Sequence, residues 1–130
     1  LLAPNKVPTG ETEPIEKFLP NPASVPLRDF DLDHVFGDLV RDSSGRAVMT
    51  VKGKSQQLDV LVGPNYRAMV MYAPKPQAGG AQNRNFICFE PMVGITNAMN
   101  LAHKGLYKEL QSIPAGGTWQ ESFWIRTSGF

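Results

Sequence analysis

Glu90 stands at the end of a short apolar, β-favouring run and directly in front of a proline, in the stretch Asn85-Phe86-Ile87-Cys88-Phe89-Glu90-Pro91. Period-two alternation puts Phe86, Cys88 and Glu90 on one face and Ile87 and Phe89 on the other, so Glu90 points the same way as apolar neighbours. Pro91 cannot donate a ladder hydrogen bond and holds Glu90 extended, so the strand is expected to end there. A carboxylate fixed beside apolar groups tends towards a raised pKa, which suits a general base working near neutrality. The pattern equally accommodates a strand-end glutamate that faces water. A second polar constellation is Asp31-Leu32-Asp33-His34-Val35-Phe36, in which alternation groups Asp31, Asp33 and Val35 apart from His34 and Phe36. Asp33 and His34 therefore do not share a face. At a strand entrance Asp33 can accept hydrogen bonds from vicinal sugar hydroxyls or cap a turn, and both readings stand. His103 lacks a nearby Cys, Asp or second His and reads as a surface or hydrogen-bonded residue, and no metal site is expected; Cys88, in an apolar strand, reads as a buried, inert thiol.

The chain offers one domain in which to hold these groups: 130 residues bury roughly two thirds of their unfolded surface. Lys plus Arg total 13 against 12 Asp plus Glu, a net charge of +1 without basic clusters, so neither nucleic acid nor an anionic membrane is an expected partner. No apolar run approaches the ~20 residues of a membrane helix. The expected protein is soluble, either cytoplasmic or periplasmic/secreted. The start, Leu-Leu-Ala-Pro-Asn-Lys, has neither an initiator methionine nor a charged leader, and is expected to follow processing or to lie inside a longer protein.

Residues 1–31 carry Pro4, Pro8, Pro14, Pro20, Pro22 and Pro26, a density that excludes helix interiors and central strands. Such a segment must lie on something, and that surface is expected to be partly absent from this chain. Residues 32–130 read as strands. Residues 34–40, the turn 41–46 and the alternating stretch 47–52 suggest a hairpin, followed by strands over 57–62 and 67–73. The loop 74–84 hangs next to the Glu90 strand, as an active-site lid or an ordinary surface loop. Ile95, Met99, Ala102, Leu106 and Leu110 are spaced like one helical face with Thr96 as N-cap, although Gly105 interrupts it. After the turn 113–117, a closing strand over 118–127 places Trp119, Phe123 and Ile125 in the core. Short strands with turn signals every eight to twelve residues or so point to an all-β sandwich or barrel.

The order Val7-Pro8-Thr9-Gly10-Glu11, Leu32-Asp33-His34-Val35-Phe36, Phe89-Glu90-Pro91 and Pro114-Ala115-Gly116-Gly117, ahead of an aromatic-rich last strand, resembles the C-terminal part of the aldose 1-epimerases, or galactose mutarotases. The resemblance spans nearly the whole chain and implies the C-terminal portion of a single antiparallel β-sandwich domain, the galactose mutarotase-like supersandwich. It implies a cofactor-free enzyme that interconverts the α and β anomers of a hexose by ring opening. Glu90 would take the proton from the C1 hydroxyl, and Asp33 would contact sugar hydroxyls. The histidine that protonates the ring oxygen matches neither His34 nor His103. It would come from the N-terminal portion of the same enzyme, as a separate chain or a cleaved piece.

This sequence departs from the family at Met92, where glutamine is common, at Asn97, where aspartate is common, and at Val70-Met71-Tyr72, where a sugar-contacting glutamine usually precedes the aromatic pair. A non-catalytic carbohydrate-binding module that keeps the cleft and lacks the acid is the alternative. A structural β-domain that binds another protein is a third.

Overall fold

The computed structural model describes residues 5–75 and 86–130. Its strands are β1 (Leu32–Phe36), β2 (Ala47–Lys52), β3 (Gln57–Val62), β4 (Ala68–Ala73), β5 (Cys88–Met92) and β6 (Phe123–Ser128), with one short helix, α1 (Ala98–His103), between β5 and β6. They form two three-stranded antiparallel sheets, ordered β1-β4-β5 and β2-β3-β6. The fold is all-β and sandwich-like. Alternation drives the packing: β2 buries Ala47 and Met49 and exposes Val48 and Thr50, and its buried face meets Val62 of β3 and Met69 of β4. Leu39, Val60, Tyr66, Met71 and Phe89 close around that cluster. Burying side chains of this size contributes roughly 1.5 to 3 kcal/mol each, which sets the sheets face to face.

β2 and β3 form a tight hairpin around the turn at 53–56, where Gly53 N–H bonds Gln56 O at 2.8 Å. The expected hairpin between the first two strands does not form, because β1 pairs with β4. β1 stops at Phe36, Asp38 takes a left-handed φ of 48°, and the following segment crosses to the other sheet. Arg41 fixes that crossing: its guanidinium donates to the carbonyls of Gly45, Gly63 and Tyr66.

The proline-rich segment packs in part on this chain's own sheet. Leu19, 2 % exposed, is buried with Leu32 and Ala73, and Ile15, Val25, Leu27 and Phe30 pack around them. The helix is also shorter than its periodicity suggests, and turned. Leu101 is its buried residue while Met99 is 78 % exposed. It ends at Gly105 (φ 72°) with Leu106 N–H bonded to Leu101 O and Gly105 N–H to Ala102 O, the paired closure that a left-handed glycine permits. Asn97, not Thr96, precedes its first turn, at φ 69°, a backbone state in which asparagine is favoured over most residues. Its side-chain amide donates to Pro8 O at 3.3 Å.

The last strand is narrower and far more open than expected. Phe123 and Ile125 are 55 % and 61 % exposed because the inner face of β6 is not packed shut by the opposite sheet: they line, with Val60, Tyr66, Phe89 and Pro91, an apolar groove of about 310 Å³. Trp119 lies outside β6, half-buried against Tyr66, with its indole N–H on Gln111 Oε1 at 2.8 Å.

On the outer face of the same sheet Asp59, 3 % exposed, accepts from Thr50 Oγ1 (2.7 Å), Gln57 Nε2 (2.9 Å) and Arg126 Nε (2.9 Å). The Thr50 bond first, then those from Arg126 and Gln57, hold its carboxyl below the ordinary aspartate value. A depressed folded-state pKa contributes stability that is present above the unfolded value, about 3.9, and lost as pH falls through the folded one. Thermal melts should therefore fall steeply below about pH 4 in the parent chain, and Asp59→Asn should flatten that limb. An unchanged acid slope in the variant would remove Asp59 from the acid-unfolding transition.

Candidate functional site

Register brings the two carboxylates onto one face. Asp33 is opposite Tyr72, and Tyr72 is opposite Cys88; one repeat along, Val35 is opposite Val70, and Val70 is opposite Glu90. Residues directly paired across strands share a side of the sheet, so Asp33, Val35, Val70, Tyr72, Cys88 and Glu90 form a single outer face. The opposite face, with Leu32, Met69 and Ala73, is the buried one. Asp33 and Glu90 sit on the two edge strands, β1 and β5, with β4 between them. Strand spacing sets them about 10 Å apart across the sheet and about 7 Å along it, hence about 12 Å apart on the diagonal.

Glu90 is exposed on this face. The apolar enclosure that its neighbours suggested is not built around it by the described residues, because Val70 and Cys88 flank it from the sheet and leave its carboxylate open to water. β5 also continues through Pro91 to Met92, paired with Met69 and Ala68, instead of ending at the proline. Proline is tolerated there because β5 is an edge strand.

Asp33 is half-exposed, with Oδ2 3.3 Å from Lys6 Nζ. This is an exposed ion pair, worth at most about 1 kcal/mol, so Lys6 positions the carboxylate without locking it. Lys6 itself has a left-handed φ of 65°. The neighbouring Asp31 ties the end of β1 to the segment after β4, its Oδ1 accepting Lys75 N–H at 2.9 Å. His34 points to the inner side, as alternation requires, with its ring 4.1 Å from that of Phe18. Burial, then the Lys6 charge, lowers its pKa, and the neutral ring accepts Asp33 N–H on Nδ1 at 3.0 Å. His103 is exposed at the end of α1 and off the sheet. Neither histidine reaches the face that carries Glu90.

Gly10 of the Pro-Thr-Gly-Glu motif, at φ 94°, packs where a Cβ would come within 3.1 Å of Leu106 Cβ, just beyond α1. A glycine is needed on both counts. Cys88 is half-buried rather than enclosed. The proposed lid, residues 74–84, falls mostly outside the described residues. Among the described residues no group of three or more His, Cys, Asp or Glu gathers to hold a metal ion, and no helix is long and apolar enough to cross a membrane.

Lys6 joins the face, through Asp33, without a sequence signal that named it, whereas alternation already groups Phe86 with Glu90. The Tyr72 and Phe86 rings lie 5.9 Å apart at its end. Comparison of the chain with protein-family models, with curated proteins and with solved structures gives no match.

Proposed function

We infer that this face is the sugar-binding sheet of an aldose 1-epimerase, with Glu90 as the general base and Asp33 as the anchor for the sugar's hydroxyls. The observation that supports it is the shared face: two carboxylates on separate strands, bracketing a surface the size of one pyranose. Glu90 removes the proton of the C1 hydroxyl while an acid protonates the ring oxygen; the C1–O5 bond breaks, C1 rotates, and closure on the other side gives the opposite anomer. Each proton transfer is worth roughly a hundred- to ten-thousand-fold. Because His34 faces inward and His103 lies off the sheet, the acid is supplied by a histidine of another polypeptide portion that faces β1, β4 and β5. The supersandwich architecture belongs to the same proposal.

That neither histidine lies on the face among the described residues favours one second reading, a carbohydrate-binding module that does not catalyse. Titration with a hexose followed by NMR tests what both share. Asp33→Asn should weaken binding about tenfold or more, as expected for loss of charge-assisted bonds worth roughly 1.5 to 3 kcal/mol. Unchanged affinity would return Asp33 to its ion pair with Lys6 alone. Polarimetry on a fresh α-hexose, with and without a histidine-bearing N-terminal portion, separates enzyme from binding module.

A further inference from the structure

Of the strands at sheet edges, three carry features that discourage pairing with another chain. β5 contains Pro91, β1 begins beside the charged pair of Asp33 and Lys6, and β2 ends on Lys52. β6 has neither proline nor lysine, and its one charged side chain, Arg126, is held at 2.8 Å by Asp59. Every residue of β6 is exposed, and among the described residues only β3 pairs with it.

The ladder fixes which backbone groups of β6 face the open side. Gly63 N–H bonds Ser122 O at 3.0 Å, one step beyond the pair of Val62 and Phe123, so Gly63 and Ser122 are a hydrogen-bonded pair. Such pairs alternate along an antiparallel ladder, so Trp124, Arg126 and Ser128 bond to β3. Phe123, Ile125 and Thr127 turn their N–H and C=O groups outward. They are also the inner-face residues, and Phe123 and Ile125 line the apolar groove.

This edge is complementary to itself. With a second β6 antiparallel and Ile125 opposite Ile125, Phe123 falls opposite Thr127 at both ends, and three reciprocal hydrogen-bonded pairs close. On the outer face Trp124 of each copy lies opposite Arg126 of the other, a cation beside an aromatic ring. Arg46 already sits over Trp124 at 4.1 Å, and the Asp59 carboxylate that accompanies each Arg126 offsets the added charge. Sliding one copy by two residues sets either Arg126 opposite Arg126 or Trp124 opposite Trp124, and each slip takes a reciprocal pair out of the strand. Charge and hydrogen bonding therefore select one register.

We propose that two copies of this chain associate through β6 about a two-fold axis at Ile125, joining their three-stranded sheets into one continuous sheet. One strand from each copy makes a small interface, so the dimer is weak and concentration-dependent. The pairing leaves Asp33 and Glu90, on the other sheet, uncovered, and does not rest on the sugar-binding reading.

Sedimentation velocity should show the parent chain shifting from monomer to dimer across roughly 10 to 1000 μM. Ile125→Lys, at an exposed position, sets like charges face to face on the axis and should abolish the shift. With Cys88→Ser as background, Ile125→Cys should oxidise to a disulfide-linked dimer and Phe123→Cys should not, because only residue 125 meets itself. Amide exchange at Phe123, Ile125 and Thr127 should slow as concentration rises, while Trp124 and Arg126 stay as they are. A monomer throughout, a dimer that survives Ile125→Lys, or equal cross-linking of both cysteine variants overturns the proposal. Protection of Ile125 N–H that is the same at low and high concentration also overturns it, since another part of the chain would then cover the edge.

Discussion

Replacing Glu90 by glutamine is expected to lower mutarotation about a hundredfold or more while leaving the melting temperature of the chain where it is. Glutamine keeps the size of the side chain and much of its hydrogen bonding but cannot accept the C1 proton. Because Glu90 is exposed at an edge strand, the change disturbs no buried contact, so loss of rate is separable from loss of fold. The measurement is polarimetry on freshly dissolved α-hexose in the presence of the histidine-bearing portion, with sugar affinity followed in parallel. Retained affinity with lost rate places Glu90 in the proton transfer. Parent-like rates in Glu90→Gln would remove it from that role.

The largest loss of stability is expected from Met69→Ala. Met69 has no solvent exposure and sits in β4 where the sheets meet, against Ala47, Met49 and Val62. Truncation removes transfer free energy and leaves a cavity, together costing about 2 to 5 kcal/mol. That is a large part of the roughly 5 to 15 kcal/mol that holds an ordinary domain folded. Met69→Leu conserves volume and should cost less than about 1.5 kcal/mol. Urea unfolding of the three proteins checks both figures. A loss in Met69→Ala no larger than in Met69→Leu would mean that the inter-sheet contact is not the centre of the core.

The strands themselves were legible, since β2 and β3 alternate cleanly between turns that fix their ends. What alternation does not carry is partnership. Nothing local in residues 32–36 says that they pair with 68–73 and not with 47–52, because the choice depends on contacts distant in the chain. The same limit explains β6: Phe123 and Ile125 are apolar at strand spacing, but whether a face is covered depends on what lies opposite. In the helix, Leu101 is buried by Gly10 and the segment around it, a partner almost the whole chain away. The site was legible as residue types. Glu90 stood out as a carboxylate among apolar neighbours and Asp33 as one of a polar cluster at a strand entrance, yet their common face follows from two registers through β4.

The order of the second sheet also sets the order in which it can assemble. β2 and β3 adjoin in sequence and close a small loop, whereas β6 reaches β3 from the far end of the chain, with Val60 opposite Ile125. Closing a long loop costs more chain entropy than closing a short one and delays the contacts that reward it. The β2–β3 hairpin is thus the seed on which the sheet grows, and β6 is its last arrival. Having little buried surface to hold it, β6 is also the part of the sheet that opens first, in a local fluctuation that leaves the Glu90 face intact.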